Sequence, residues 1–378
     1  MAATITWGRL RELAAFRAAA GCAISLYVDL DPSIAPTAGD VDSRFNALVN
    51  EAEKTAGRDA VSHDAREALK ADLARIRRFF DSEFDRDGVH GLALFAAGGD
   101  NLWVTLPLSE RVPDAIKIRR DLHLSPLVPL VGRSDGAVVA VVGREQGHLY
   151  RLRDGRLEEV VDRSEEQPGR HDQGGWSQAR YQRHIENLVQ EHFKDVAEAL
   201  DQQLRRARGP RVVLVASEEA RSEFMNSLSN EAKAAVVGAT QAEAHATPAE
   251  LLEIVKPHLV QARLADERSV LDRWQEEAGR NGRAASGWEQ TLEAASDGRV
   301  EMLLFSEGVE REAWQCAACG RGSAVGGSCP LDGETLERVD EGLEVAVHRT
   351  LAHGGTVLAV EANRDLDPVE GIGALLRY

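Results

Sequence analysis

Residues 174–183 read GGWSQARYQR: two glycines and a tryptophan, then a Ser-Gln pair and spaced arginines. Gly174 and Gly175 can take backbone angles closed to other residues, which suits a loop tip that approaches another molecule closely. A plain surface turn before a helix fits the same residues. Downstream, Tyr181, Ile185, Leu188, Val189, Phe193, Val196, Leu200 and Leu204 recur at helical spacing, one apolar stripe over about seven turns. A helix is expected from Ala179, with its apolar residues in a core. Residues 164–173 have no apolar period and are expected to form a loop.

Outward from this stretch the pattern is α/β. GAVVAVVG (136–143) and HLYRLRDGRLEEVV (148–161) read as strands, with Asp154-Gly155 as a hairpin turn. RVVLVA (211–216) and a helix over 218–228 complete the unit. Nearer the N-terminus, AISLYVDL (23–30) is a β-type run, followed by helical patterns over 39–57 and 62–84. HGLALFA (90–96) and NLWVTL (101–106) pair through AGGD, and Pro126 and Pro129 mark a seam. Thr247-Pro248-Ala249-Glu250 is a capping box with proline at the first helical position, opening a helix that passes Trp274 despite Pro257. VEMLLF (300–305), a helix near 340–352, TVLAV (356–360) and the ending GIGALLRY (371–378) form the last unit. Three α/β domains are expected, at 1–125, 126–246 and 247–378, in keeping with 378 residues and domains of about 100–150.

Bulk properties exclude several classes. Hydrophobic residues make up 43% and charged residues 28%, a globular balance and not a disordered one. No apolar run approaches the roughly 20 residues that span a bilayer, and MAATITWGRLRELAAF at the start lacks a signal-peptide core. A cytoplasmic protein without membrane contact is expected. The net charge of −17 excludes an unspecific nucleic-acid coat. Local basic clusters remain: Arg170, His171, Arg180, Arg183 and His184 around the glycines, and Arg205, Arg206, Arg208 and Arg211 after the helix. Each is either a solvated face or a set of phosphate contacts. His171, His184 and His192 have no evident acid–base partner and read as ordinary surface residues.

Three of the four cysteines lie in CAACGRGSAVGGSCPLDG (316–333), which is no secretory disulfide framework. Cys316-x-x-Cys319-Gly320 is a zinc knuckle: the gap lets both thiolates face one ion, and the glycine opens the turn so that backbone amides support the sulfurs. The second half reads Cys329-Pro-Leu-Asp332-Gly333, with Asp332 where a fourth cysteine would stand. A structural zinc on Cys316, Cys319, Cys329 and Asp332 is expected. A ribbon that folds without metal and a redox pair are the alternatives. Cys22, at the start of an apolar run, is expected to be an inert core thiol.

Three α/β units, a glycine loop before a long basic helix, a knuckle in the third unit and GIGALLRY together resemble one superfamily. It comprises the class-one translation release factors of eukaryotes and archaea, Pelota, their bacterial relatives and the Vms-type tRNA hydrolases. In release factors the middle-domain motif is Gly-Gly-Gln-Ser followed by Arg-aromatic-x-Arg. Gly174, Gly175, Ser177, Arg180, Tyr181 and Arg183 match that frame, and Trp176 stands at the glutamine position. The Vms-type loop resembles Gly-x-Ser-Gln, which Gly175-Trp176-Ser177-Gln178 fits. The resemblance implies a three-domain release-factor/Pelota-like architecture with a zinc-knuckle insertion in the third domain. It further implies a ribosome-associated peptidyl-tRNA hydrolase acting on stalled ribosomes or subunits through Gln178, with Gly174, Gly175, Trp176, Ser177, Arg180 and Arg183 contacting tRNA or rRNA.

A neutral amide suits that chemistry. It can orient the attacking water and stabilise charge growing on the ester oxygen without titrating. If Gln178 lies on the loop it can reach the ester joining peptide to tRNA; if the helix has begun there, it cannot. The alternative is a non-catalytic factor that occupies the ribosomal A site for rescue or hibernation, where Trp176 stacks on an RNA base. Implied partners are the ribosome, tRNA and rRNA, with a translational GTPase as a further candidate, and the protein is expected to be a monomer. Nothing in the first domain reads as a codon-recognition motif, so ordinary termination is not expected.

Overall fold

The computed structural model describes residues 4–19, 21–59, 63–133, 136–163, 177–206, 211–243, 245–361 and 364–378; at 55–59 and 177–182 the backbone alone is described. Two compact units emerge, Met1–Gly132 together with Glu267–Tyr378, and Arg133–Asp266.

The N-terminal part of the first unit begins with α1 (Trp7–Ala14), capped by the Thr6 hydroxyl, which accepts from the Arg9 N–H. It continues through β1 (Ala23–Asp29), α2 (Ala38–Asp59), α3 (His63–Ser82), β2 (Gly91–Ala97), β3 (Leu102–Leu108) and β4 (Ala115–Arg119). The strands form one antiparallel sheet in the order β3-β2-β1-β4. Every residue of β1 and β2 is buried, because both faces of the sheet are covered. On one face Phe45 of α2 stacks on Phe80 of α3 at 3.8 Å within an apolar cluster that includes Ile24, Leu26 and Val28. Tyr27 and Phe95 point to the other face, into a core shared with the C-terminal part of the unit.

In the second unit β5 (Ala137–Val142), β6 (Gly147–Arg153), β7 (Arg156–Asp162), α4 (Ser177–Arg206), β8 (Arg211–Val215), α5 (Glu218–Ser227), α6 (Asn230–Ala235) and β9 (Val236–Thr240) follow in sequence. The sheet order is β7-β6-β5-β8-β9, parallel from β5 to β9 and antiparallel across the β5–β6–β7 meander. Asp154 and Gly155 both have positive φ, 49° and 75°, as the two-residue hairpin turn requires. Val189, Phe193, Val196, Leu200 and Leu204 of α4 are buried in one cluster with Val138, Ala140 and Leu149, as the stripe predicts. Gly147 allows the close approach of β6 to α4, since a Cβ there would run into Val196 and His192.

Helix α7 (Pro248–Gly279) begins in the second unit and ends in the first. The Thr247 N–H donates to Glu250 at 2.8 Å while the Thr247 hydroxyl accepts from the Glu250 N–H at 3.3 Å, the reciprocal capping box read from the sequence.

The rest of the first unit comprises β10 (Ala284–Ser286), α8 (Gly287–Ser296), β11 (Val300–Ser306), β12 (Ala313–Gln315), β13 (Gly322–Ser323), β14 (Glu337–Val339), α9 (Gly342–Ala352), β15 (Thr356–Val360) and β16 (Ile372–Leu376). The main sheet runs β10-β16-β11-β15 and a small one β13-β12-β14. The GIGALLRY ending supplies β16, wholly buried between β10 and β11.

Two features differ from the sequence reading. Pro126 and Pro129 lie in a 3-10 turn, Ser125–Leu130, whose Leu127, Val128 and Leu130 are buried inside the first unit; the unit boundary falls after Gly132. The N-terminal and C-terminal regions also share one core, in which Leu10, Leu13, Leu122 and Leu124 are clustered with Leu343, Val347 and Leu351. Short elements such as β4, β9, β10 and α6 have three to six residues, too few to display a period.

Candidate functional site

The residues singled out by sequence fall into two places. Gly174, Gly175, Trp176, Arg170, His171 and the expected loop at 164–173 lie outside the described residues. Ser177 and Gln178 are the first two residues of α4, so the helix begins two residues before the expected Ala179. Arg180 and Arg183 follow within its first two turns, three residues apart and therefore on neighbouring positions of one helix face. Arg183 and His184 are exposed. The first four N–H groups of a helix have no intrahelical acceptor, so this end of α4 joins backbone donors to two arginines. In the second basic cluster Arg205 and Arg206 are exposed, Arg208 is outside the described residues, and Arg211 is paired with Asp266.

His192 departs from the surface role expected of it. It is buried on α4 beside Gly147, and its Nε2 has no hydrogen-bond partner among the described residues. Its neighbour Phe193 belongs to the apolar stripe, and the strand-to-helix approach at Gly147 covers the adjoining ring as well.

The cysteine segment is built as two equivalent turns. In the first, the Gly320 N–H donates to the Cys316 carbonyl at 2.9 Å and the Cys316 N–H to the Arg321 carbonyl at 2.9 Å. In the second, the Gly333 N–H donates to the Cys329 carbonyl at 2.9 Å and the Cys329 N–H to the Glu334 carbonyl at 2.7 Å. Gly320 and Gly333 have φ of 74° and 79°, so each glycine is required by its turn. Cys329-x-x-Asp332-Gly333 thus repeats the backbone of Cys316-x-x-Cys319-Gly320, the equivalence that spacing alone implied.

The four side chains converge. Their ligand atoms all lie within 4.8 Å of one another. Cys319 Sγ is 3.6 Å from Cys329 Sγ, and Cys316 Sγ is 3.3 Å from an Asp332 oxygen. The Cys319 N–H points at Cys316 Sγ from 3.5 Å, the support that a thiolate takes from its own knuckle. Cys316 and Cys329 are buried, Cys319 is partly exposed and Asp332 is exposed. Burial pushes the Cys319 thiol up to about 12, while the Cys329 thiol beside Asp332 holds that carboxyl below its usual range. A cation among the sulfurs reverses the first effect, because a coordinating thiol loses its proton outright. This set can hold a metal ion. Cys22, by contrast, is only partly buried, one residue ahead of β1 and outside the core expected for it.

A second group of possible ligands, His148, Glu159 and Asp162, gathers on β6 and β7, with His148 Nδ1 2.6 Å from Glu159 and 3.6 Å from Asp162. Both carboxylates are exposed, and a cross-strand ion pair accounts for the contact.

Residues 123–258 match the family described as bacterial archaeo-eukaryotic release factor family 10. The chain is 24% identical over 324 residues to peptide chain release factor subunit 1 of Archaeoglobus fulgidus, covering 83% of this chain and 78% of that protein. Over 208 residues it is 28% identical to the Methanopyrus kandleri protein of the same name, covering 52% and 50%. Among solved structures, the archaeal translation termination factor aRF1 is similar over 99% of both chains at 19% identity with a TM-score of 0.26. Archaeoglobus fulgidus Pelota is similar over 76% of this chain and 79% of its own at 17% identity with a TM-score of 0.37. The family match across residues 123–258, which carry α4, and the long alignments with archaeal release factors make this chain release-factor-like.

Proposed function

We propose that the protein is a ribosome-associated factor that occupies the A site without hydrolysing peptidyl-tRNA, in rescue or hibernation of ribosomes. The observation that carries this reading is the start of α4 at Ser177. The motif's glutamine position holds Trp176, and the nearest glutamine, Gln178, has helical backbone. Ester hydrolysis needs an amide delivered to within hydrogen-bond reach of the reacting atoms, and a misplacement of about 1 Å already costs on the order of a hundredfold. A helical backbone restricts that delivery. A tryptophan at the same place can stack on an unpaired base, and Arg180 and Arg183 can pair with phosphates of tRNA or rRNA. Hydrolysis through Gln178 is the second reading, favoured by the order Gly175-Trp176-Ser177-Gln178. The test adds the protein to ribosomes carrying labelled peptidyl-tRNA, with and without a translational GTPase. No release by the parent chain, and binding unchanged in Gln178→Ala, is expected; release that disappears in Gln178→Ala would install the hydrolase reading instead.

The cysteine centre fits zinc with a structural role. With Zn–S bonds of about 2.3 Å, two sulfurs on a tetrahedral ion stand about 3.8 Å apart. The 3.6 Å between Cys319 and Cys329 agrees with that spacing and is far too long for a disulfide. Cys316, Cys319, Cys329 and Asp332 would hold the ion and leave no open position, so it would tie β12, β13 and β14 together and carry out no chemistry. One zinc per chain is expected by metal analysis of protein expressed with ample metal, and a content near zero would leave a ribbon folded by packing alone. A monomeric, cytoplasmic protein belongs to the same proposal.

A further inference from the structure

The first and last regions of the chain meet over a group of ionisable side chains that belongs to neither candidate site. Glu344 on α9 is 2% exposed, yet its carboxylate accepts the backbone N–H of Leu124 at 2.9 Å and of Ser125 at 2.8 Å. These are backbone donors of the N-terminal region, just where the Ser125–Leu130 turn starts. His123 Nδ1 lies 2.9 Å from the same carboxylate, close enough for an ion pair though off the line of a good hydrogen bond. One turn along α9, His348 stands 3.7 Å from Glu344. Its Nε2 faces the Leu122 carbonyl at 2.5 Å and its Nδ1 the Ala14 carbonyl at 3.4 Å.

We propose that Glu344 and His123 form a proton-dependent latch that locks the N-terminal region onto α9 when His123 is charged and loosens it when His123 loses its proton.

The physical argument starts from what each partner costs alone. A buried carboxylate with no counter-charge is strongly unfavourable, and removing one member of a buried pair leaves the other uncompensated. Glu344 is exposed to that penalty in full, with two backbone donors as its remaining support once His123 becomes neutral. Around His123 and Glu344 stand Glu341 at the start of α9, His348 on α9, Lys117 on β4, Tyr27 on β1 and Glu310 ahead of β12, with Arg119 on β4 paired to Glu341. Lys117 and Arg119 are both paired with Glu341, which leaves the Glu344 carboxylate as the nearest charge answering His123. The Tyr27 hydroxyl donates to the His123 carbonyl and the Ser25 hydroxyl accepts the His123 N–H, so the backbone is held while the ring titrates.

Burial works against the charge on His123, the Glu344 carboxylate works for it, and the balance lies above the ordinary histidine value of about 6.5. Burial likewise opposes ionisation of Glu344, but the His123 imidazolium overrides it and holds the carboxyl well below its usual range. A histidine raised in the folded state contributes stability that is complete below its unfolded value and is lost as pH rises through the folded one. The carboxylate contributes above its own ordinary range and is lost only on strong acidification. The latch is therefore closed below the ordinary histidine value and opens as pH rises through the raised one.

The experiment uses the full chain and three readouts. In proton NMR the His123 ring is expected to titrate above 6.5. Hydrogen-exchange protection of the Leu124 and Ser125 amides, corrected for the intrinsic pH dependence, is expected to fall by about tenfold or more between pH 6 and pH 9. The thermal midpoint of the parent chain is expected to drop over the same interval by at least about 3 °C more than that of His123→Gln. Glu344→Gln should flatten the profile likewise; should it fail to fold, His123→Gln and the parent chain decide the matter. A His123 ring that titrates at or below 6.5, or a pH profile that is the same in the parent and in His123→Gln, overturns the latch.

Discussion

The two longest helices, α4 and α7, are nearly equal in length at 30 and 32 residues, yet they are built on opposite principles. α4 serves a single core. Its buried residues Val189, Phe193, Val196, Leu200 and Leu204 all belong to one cluster, and they repeat at three and four residues. α7 serves two. Leu251 and Val255 near its start are buried with Val139, Val213 and Val215 of the second unit, while Leu271 and Trp274 near its end are buried with Leu304, Val360 and Leu375 of the first. No single stripe runs along it, because its two ends are buried in different clusters. A helix with one stripe announces its environment in the sequence, whereas a helix shared between cores announces only its start, through a cap.

The comparison can be broken by truncating each helix where it meets a core. Phe193→Ala removes a fully buried ring from the α4 stripe and is expected to destabilise the second unit by about 3–5 kcal/mol, read by denaturant unfolding. A loss below about 1 kcal/mol would mean that the stripe is not the core of that unit. Leu271→Ala and Val255→Ala sharpen the contrast. Leu271→Ala is expected to cost about 2–5 kcal/mol, with Val255→Ala somewhat below it because fewer atoms are removed. Leu271→Ala should lower hydrogen-exchange protection in β11 and β16, and Val255→Ala in β5 and β8. Equal losses in both units from either change would show α7 acting as one element of one core.

The smallest expected effect concerns the start of α4. Reversing Arg180 and Arg183 to glutamate should weaken ribosome association about tenfold, on the order of 1.4 kcal/mol, and make its salt dependence shallower. Lys256→Glu on α7 is the control, since Lys256 is an exposed residue whose ion pair to Glu253 is loose at 3.7 Å. Arg77 is unsuitable for that purpose, because its guanidinium is bound to Asn46, Asn50 and Glu53. Equal ribosome binding by the α4 variant and the Lys256 variant would make the basic face a solvated helix surface.

Much of the molecule was legible before any coordinates. The β1 run, both long first-region helices, the Asp154-Gly155 hairpin, the α4 stripe, the Thr247–Glu250 cap and the equivalence of Cys319 with Asp332 follow from periods, turn residues and spacings. These are local properties, set by backbone geometry over one to three turns or by a two-residue gap. Even the place of Asp332 among the four side chains that could hold a metal was visible, because Gly320 and Gly333 each demand positive φ at the same offset from a cysteine.

Other features depend on residues far apart in sequence, and only tertiary structure decides them. His192 reads as a surface histidine until Gly147, 45 positions earlier, lets β6 close over α4. Pro126 and Pro129 read as a seam until Leu122, Leu124 and Leu127 are found buried in the same core as Leu343 and Val347. Nothing in the sequence marks Glu344 for burial; only the fold brings Leu124, Ser125 and His123 around it. By itself the sequence determined which of the longer segments are helix and strand and where a metal could sit, since those follow from short-range sterics and ligand spacing. The tertiary structure decided which segments share a core and which charges are buried, because desolvation depends on what covers a group and not on its neighbours along the chain.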